Sequence, residues 1–86
     1  MYQRGKYLIG ELATKYVDQY VAICFPETVG HDDIGKFFNH GTVIAGGFFY
    51  IEDGKVIPYD KSISMGVASR PEDVKFLQRA LGLSDE

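Results

Sequence analysis

The chain has 86 residues, 45% of them hydrophobic, and a formal net charge of −3 from nine basic and twelve acidic side chains. That is enough for one domain, residues 1–86, with a small core that needs no metal or disulfide staple, and the acidic balance argues against a broad footprint for nucleic acid or an anionic membrane. The lone Cys24 rules out an internal disulfide, and the longest apolar run, residues 43–51, holds two glycines and is too short to cross a bilayer. With no secretory-type apolar stretch at residues 1–4 and a thiol set among apolar neighbours, the expected compartment is the reducing cytoplasm.

The N-terminal third carries two patterns at once. Leu8, Ile9, Leu12, Ala13, Tyr16, Val17, Tyr20 and Val21 recur as adjacent pairs every four residues, as on an amphipathic helix. Residues 16–25, however, are dense in aromatic and β-branched side chains, which favour strand. Residues 8–21 therefore read either as one helix or as parts of two strands.

Residues 32–39 place Ile34, Phe37 and Phe38 on one side of a short helix with Gly41 as its C-cap, although Gly35 weakens that helix. Residues 42–51 and 55–64 are β-branched and aromatic, and Asp53-Gly54 between them is a type I′ hairpin signal, so they are expected to pair antiparallel. Ser69-Arg70-Pro71-Glu72 has the form of a capping box. Val74, Leu77 and Leu81 then repeat at helical spacing before Gly82, which predicts a helix of about three turns.

Two segments carry the chemistry. A strand-like run ending in the Ser/Gly-rich stretch Ser62-Ile63-Ser64-Met65-Gly66 can offer several backbone N–H groups, and the hydroxyls of Ser62 and Ser64, to an anion. His31 at the start of a helix is the candidate general base. The helix dipole favours its neutral form and Asp32 and Asp33 oppose it, so the sequence leaves the net sign open. Lys6 or Lys61 can neutralise phosphate charge. The plainer readings are a capping histidine, an ordinary strand end and solvated lysines. His40 before Gly41 reads as a helix-end residue. Consecutive His31, Asp32 and Asp33 diverge and lack a second ligand cluster, so no metal is expected. Gly46-Gly47 lacks the third glycine and following helix of a dinucleotide fingerprint, and no cofactor is expected. Six tyrosines and six phenylalanines without a basic stripe point to core and interface rather than nucleobase platforms.

His31-Asp32-Asp33-Ile34, followed by Tyr59, Ser62, Gly66 and Ala68, matches a His-x-Asp-Ile segment that opens a helix and a Tyr-x-x-Ser-x-x-x-Gly-x-Ala loop that holds a phosphoryl group. In these motifs the chain resembles the phosphohistidine phosphatase (Janus/Ocnus) family. Gly46-Gly47 resembles the family's glycine run, and Gly5-Lys6-Tyr7-Leu8-Ile9 its first strand with a lysine. The resemblance covers most of the chain, through short and degenerate motifs. It implies strands at about residues 5–12 and 16–25. The fold class expected is then α+β, a single small domain in ββαββα order with a mainly antiparallel sheet packed with helices.

The resemblance also implies a function. His31 would activate water against phosphorus while Lys6 and residues Ser62, Ile63, Ser64, Met65 and Gly66 hold a phosphate-bearing substrate, such as phosphohistidine in a protein. The departures are Phe48 where the family commonly has an arginine, no arginine just upstream of His31, a shorter interval from His31 to Ser62, and a chain that stops where a further strand would be expected. The rival expectation is a noncatalytic interaction protein on the same scaffold, with Phe48, Phe49 and Tyr50 supplying a partner or homodimer surface.

Overall fold

The computed structural model describes residues 3–13 and 19–83. The first strand, β1 (Arg4–Glu11), has Tyr7, Leu8 and Ile9 fully buried in succession. A strand covered on both faces need not alternate apolar with polar residues, which is why its adjacent pair Leu8-Ile9 can begin a helix-like repeat in sequence. β2 (Tyr20–Phe25) pairs antiparallel with β1, from Lys6↔Phe25 to Glu11↔Tyr20. Both strands expected in this third are present. The beginning of the second, at residues 16–18, lies outside the described residues.

After β2 comes α1 (His31–Gly35), of only five residues. The longer helix expected over 32–39 stops at Gly35, a residue with a high entropic cost in a helix. Tight turns replace it, with Phe37 N–H donating to Ile34 O at 3.0 Å and Phe38 N–H to Gly35 O at 3.2 Å. Phe38 is buried as a result, whereas Phe37 is exposed and does not share the buried side expected for it. Gly41, at φ +78°, belongs to a later turn and does not cap α1.

β3 (Ala45–Glu52) and β4 (Lys55–Tyr59) form the expected hairpin, with Glu52 opposite Lys55. The φ values of +53° at Asp53 and +76° at Gly54 are those a type I′ turn requires. The expected strand over 55–64 breaks after Tyr59. Asp60 adopts φ +63°, a left-handed conformation that aspartate tolerates, and its carboxylate accepts the Lys61 N–H at 2.9 Å. Beyond the break, β5 (Lys61–Ser62) and β6 (Val67–Ala68) make a separate two-stranded ladder. The simple ββαββα order is therefore modified by two short strands before the last helix, α2 (Asp73–Leu81).

α2 ends at Gly82 in the left-handed conformation, as its sequence predicts, but begins differently. Ser69 makes no capping bond. The turn before α2 is closed by Asp73 N–H to Arg70 O at 3.0 Å, and the Asp73 carboxylate reaches back to the Arg70 N–H at 2.8 Å. This is the reciprocal arm of a capping box counted from Arg70, one residue later than the Ser69 frame, and Pro71 falls in the turn just before α2, where its missing N–H costs nothing.

The main sheet has the order β2-β1-β3-β4, all antiparallel. On one side α2 covers a core of Tyr7, Ile9, Ala45, Phe49, Val56 and Leu77. On the other, Leu8, Phe25 and Phe38 pack with Ile34 of α1, Val67 of β6 and Met65 from the loop between β5 and β6. Among the described residues no helix is long and apolar enough to cross a membrane.

Candidate functional site

His31 is the first residue of α1 and is only 6% exposed. Its ring stands edge-on to Phe25 and Phe48, at centroid separations of 5.3 and 5.7 Å. The Nε2 atom lies 2.9 Å from the carbonyl oxygen of Gly47. A carbonyl only accepts, so Nε2 carries the proton, and in the neutral ring the lone pair is on Nδ1. Burial lowers the His31 pKa below 6.5, and the nearby Lys6 charge adds to this, against the Gly47 carbonyl and Asp32, which favour the cation. The sign that sequence left open is thus downward, towards the neutral base.

Gly47 makes this contact possible. A Cβ on it would lie 2.7 Å from the Tyr59 carbonyl oxygen and 3.0 Å from that of Asp60, so only glycine lets β3 run this close to the end of β4. Gly47 therefore links His31 to the segment that enters the Ser62 loop. Its role as acceptor is not evident in the sequence, although paired glycines inside an apolar strand do signal a close backbone approach.

Lys6 sits beside His31 on the same sheet face, opposite Phe48 in the β1–β3 register. Its Nζ donates to Val29 O at 2.9 Å and lies 5.7 Å from the Phe48 ring centroid. An ammonium has three donors, so two remain for a ligand. The lysine is half-buried rather than a fully solvated surface residue. Lys61 is exposed.

The Ser62 loop holds itself together. Ser62 is 2% exposed, and its hydroxyl oxygen accepts the Met65 N–H at 3.3 Å. The Gly66 N–H is shared between Ser62 O at 2.9 Å and Ile63 O at 3.2 Å. Within residues 62–66, the amides of Met65 and Gly66 are thus committed to the turn. Those of Ile63 and Ser64 have no protein partner among the described residues, and both residues are exposed. The Ser62 hydroxyl retains its own proton as a donor.

Met65 fastens the loop to the C-terminal end of α1. It packs in the second core with Ile34, and a Cβ on Gly35 would come within 2.7 Å of its Cε. The structure thus brings together His31, Lys6, Gly47 and Phe48, and ties the Ser62 loop to the same helix at its other end. A hollow of about 420 Å³ opens there, lined by Gly35, Phe38, His40 and Met65 among others, and His31 is not part of its wall. His40 is exposed and lies in a turn. Of the aromatic trio expected at a surface, Tyr50 is exposed and Phe48 half-buried, but Phe49 is fully buried in the α2-side core.

Cys24 is half-buried against that same core, and burial pushes its thiol up to about 12, well away from a reactive thiolate. Among the described residues no cluster of three or more His, Cys, Asp or Glu side chains is placed to hold a metal ion. In comparisons with known proteins, no family model matches the chain, and neither a curated protein nor a solved structure shows significant similarity to it.

Proposed function

We propose that this protein is a small phosphohydrolase of the phosphohistidine phosphatase type, with His31 as general base and a phosphate-bearing protein or small molecule as substrate. The observation that carries the reading is the His31 Nε2–H donated to the Gly47 carbonyl at 2.9 Å. It selects one tautomer, and with the pKa lowered the ring at neutral pH is an uncharged acceptor at Nδ1. Such a contact does for this imidazole what an orienting carboxylate does for a catalytic histidine, without adding a negative charge that would raise its pKa.

In the mechanism, Nδ1 takes a proton from water as the water oxygen forms its bond to phosphorus and the bond from phosphorus to the leaving group breaks. Two donors of Lys6 and the open amides of Ile63 and Ser64 supply charge and hydrogen bonds to the phosphoryl oxygens. Ser62 shapes the loop and does not attack, since it is almost fully buried and its oxygen holds the Met65 amide.

The test is hydrolysis of phosphorylated histidine and of phosphoramidate by wild type, His31→Ala and His40→Ala. Removing a general base typically costs about 10²–10⁴ in rate, so His31→Ala is expected to lose activity on that scale while His40→Ala keeps it. Equal rates for wild type and a folded His31→Ala protein would rule out the assignment.

A further inference from the structure

Gly35 ends α1 with a residue that weakens a helix, and the fold uses the space its missing side chain leaves. A Cβ there would fall 2.7 Å from Met65 Cε and 2.9 Å from Met65 Sδ, so the thioether lies directly against the Gly35 backbone. Within residues 62–66 only Met65 joins a core, the one built on Leu8, Phe25 and Phe38. Ile63, the other aliphatic side chain of the loop, is 84% exposed. The side-chain tie between residues 62–66 and the helix that carries His31 therefore runs through one thioether. It is also within reach of a solute. Met65 is half-buried and lines the hollow of about 420 Å³, far more room than a small peroxide needs. A thioether reacts with an oxidant without losing a proton, whereas Cys24 reacts as its thiolate, which a pKa pushed up to about 12 makes scarce at neutral pH.

We propose that Met65 is a reversible oxidation site, and that its conversion to the sulfoxide by a peroxide unfastens the Ser62 loop from α1. With hydrogen peroxide, the Met65 sulfur attacks one oxygen and the O–O bond breaks. The departing hydroxide takes the proton from the new S–OH group and leaves as water, so sulfur is oxidised by two electrons and the peroxide is reduced by two. The added oxygen has to fit where Sδ already meets Gly35, among Leu8, Ile34 and Phe38, whose side chains offer it no donor. Overpacking and an unmatched polar atom both favour a loop that leaves this seat for water. Methionine sulfoxide reductases return the thioether and with it the fastening. The consequence for a bound anion rests on the function proposed above, because Ile63 and Ser64 supply its open amides, but the fastening itself does not.

The test exposes the whole chain to hydrogen peroxide, locates the added oxygen by peptide mass spectrometry, and compares amide hydrogen exchange before oxidation, after it, and after treatment with methionine sulfoxide reductases. The oxygen is expected at Met65 in the folded chain. The amides of Met65 and Gly66, which close the loop's turn, are then expected to exchange about tenfold faster or more, and the reductases to restore the original rates. Met65→Leu nearly conserves volume, so its loop amides are expected to keep their rates in peroxide, whereas Met1→Leu behaves as the unaltered chain does. Phosphate-induced shifts at Ile63 and Ser64 should weaken on oxidation. If the reduced chain shows no such shifts, the anion reading fails while exchange still decides the fastening. Met65 left unoxidised in the folded chain, or a sulfoxide at Met65 with unchanged exchange at residues 65–66, would overturn the proposal. Faster exchange in peroxide-treated Met65→Leu would assign the effect to another group and overturn it too. The comparison of oxidised with reductase-restored chain needs no variant, so it decides the matter even if Met65→Leu fails to fold.

Discussion

His31 sits at a position where stability and chemistry pull on the same proton. Its pKa is lowered in the folded protein by burial between Phe25 and Phe48, so over the interval between that value and 6.5 the unfolded chain holds more protons than the folded one. The stability this contributes is present above pH 6.5 and is lost as the pH falls through the folded value. Denaturant unfolding of wild type is accordingly expected to weaken over that interval, and His31→Gln, which cannot titrate, should show a shallower dependence. A second buried polar group is Asp73, whose carboxylate accepts from the Tyr7 hydroxyl, the Arg70 N–H and the Arg70 Nε, the last at 2.7 Å. Burial first, and then the carboxylate, raise the Tyr7 pKa far above its ordinary value, so the phenol remains a donor. Asp73→Ala strands these donors and is expected to cost on the order of 3 kcal/mol, while Tyr7→Phe removes one of them and costs about 1–2 kcal/mol. Equal losses in thermal unfolding of the two variants would show that the cluster does not work as a shared acceptor.

Among the elements, the β3–β4 hairpin has the most direct consequence for the candidate site. Its turn holds Asp53 and Gly54 at positive φ, and β4 leads through Asp60 into the Ser62 loop, with the Asp60 carbonyl also accepting the Ser69 N–H at 3.0 Å. Gly54→Val forces a β-branched residue into a conformation it resists, although a Cβ there meets nothing. The expected loss is about 1–2 kcal/mol, from backbone strain alone, and Gly54→Asn, which tolerates that region, should recover most of it. Because Gly47 on β3 lies against the carbonyls of Tyr59 and Asp60, a shift in hairpin register also moves the acceptor of His31. The same Gly54→Val protein is therefore expected to show weaker phosphate-induced amide shifts at Ile63 and Ser64. Unchanged stability together with unchanged shifts would disconnect the turn from the site.

At the scale of the whole molecule, one sheet is shared by two cores. Leu77 and Leu8, each fully buried, lie in the α2-side core and in the core beneath α1 and the small ladder, respectively. The α2 side has no sheet of its own and the other side only the two-stranded β5–β6 ladder, so loss of either core exposes a face of β1 and removes support from the other. Leu77→Ala and Leu8→Ala are each expected to cost about 2–5 kcal/mol and to lower the midpoint of a single transition. Following unfolding by tyrosine fluorescence and by backbone circular dichroism checks this, since separate midpoints in Leu8→Ala would mean that the α2 side folds without its counterpart.

The local elements whose signals depend on a few neighbouring residues were legible in the sequence. The hairpin turn at Asp53-Gly54 and the stop at Gly82 are set by φ values that few residues adopt, and the apolar face of α2 follows from helical spacing. The proposal of His31 and the 62–66 loop as the chemical segments rests on residue type, order and the motif resemblance. Only the tertiary structure decided what each group has to bond to. Residues 8–21 carry a helical repeat as well as a strand signal, and β1 is a strand whose two apolar faces are claimed by different cores, while the Asp73 carboxylate at the start of the last helix accepts the hydroxyl of a buried Tyr7 from the centre of β1. The lowered pKa of His31 depends on burial and its tautomer on a carbonyl sixteen residues away, and the amides open to a ligand are those of Ile63 and Ser64 because Ser62 closes the turn on Met65 and Gly66. Burial and hydrogen-bond partners are set by long-range contacts, and sequence spacing carries no direct record of them.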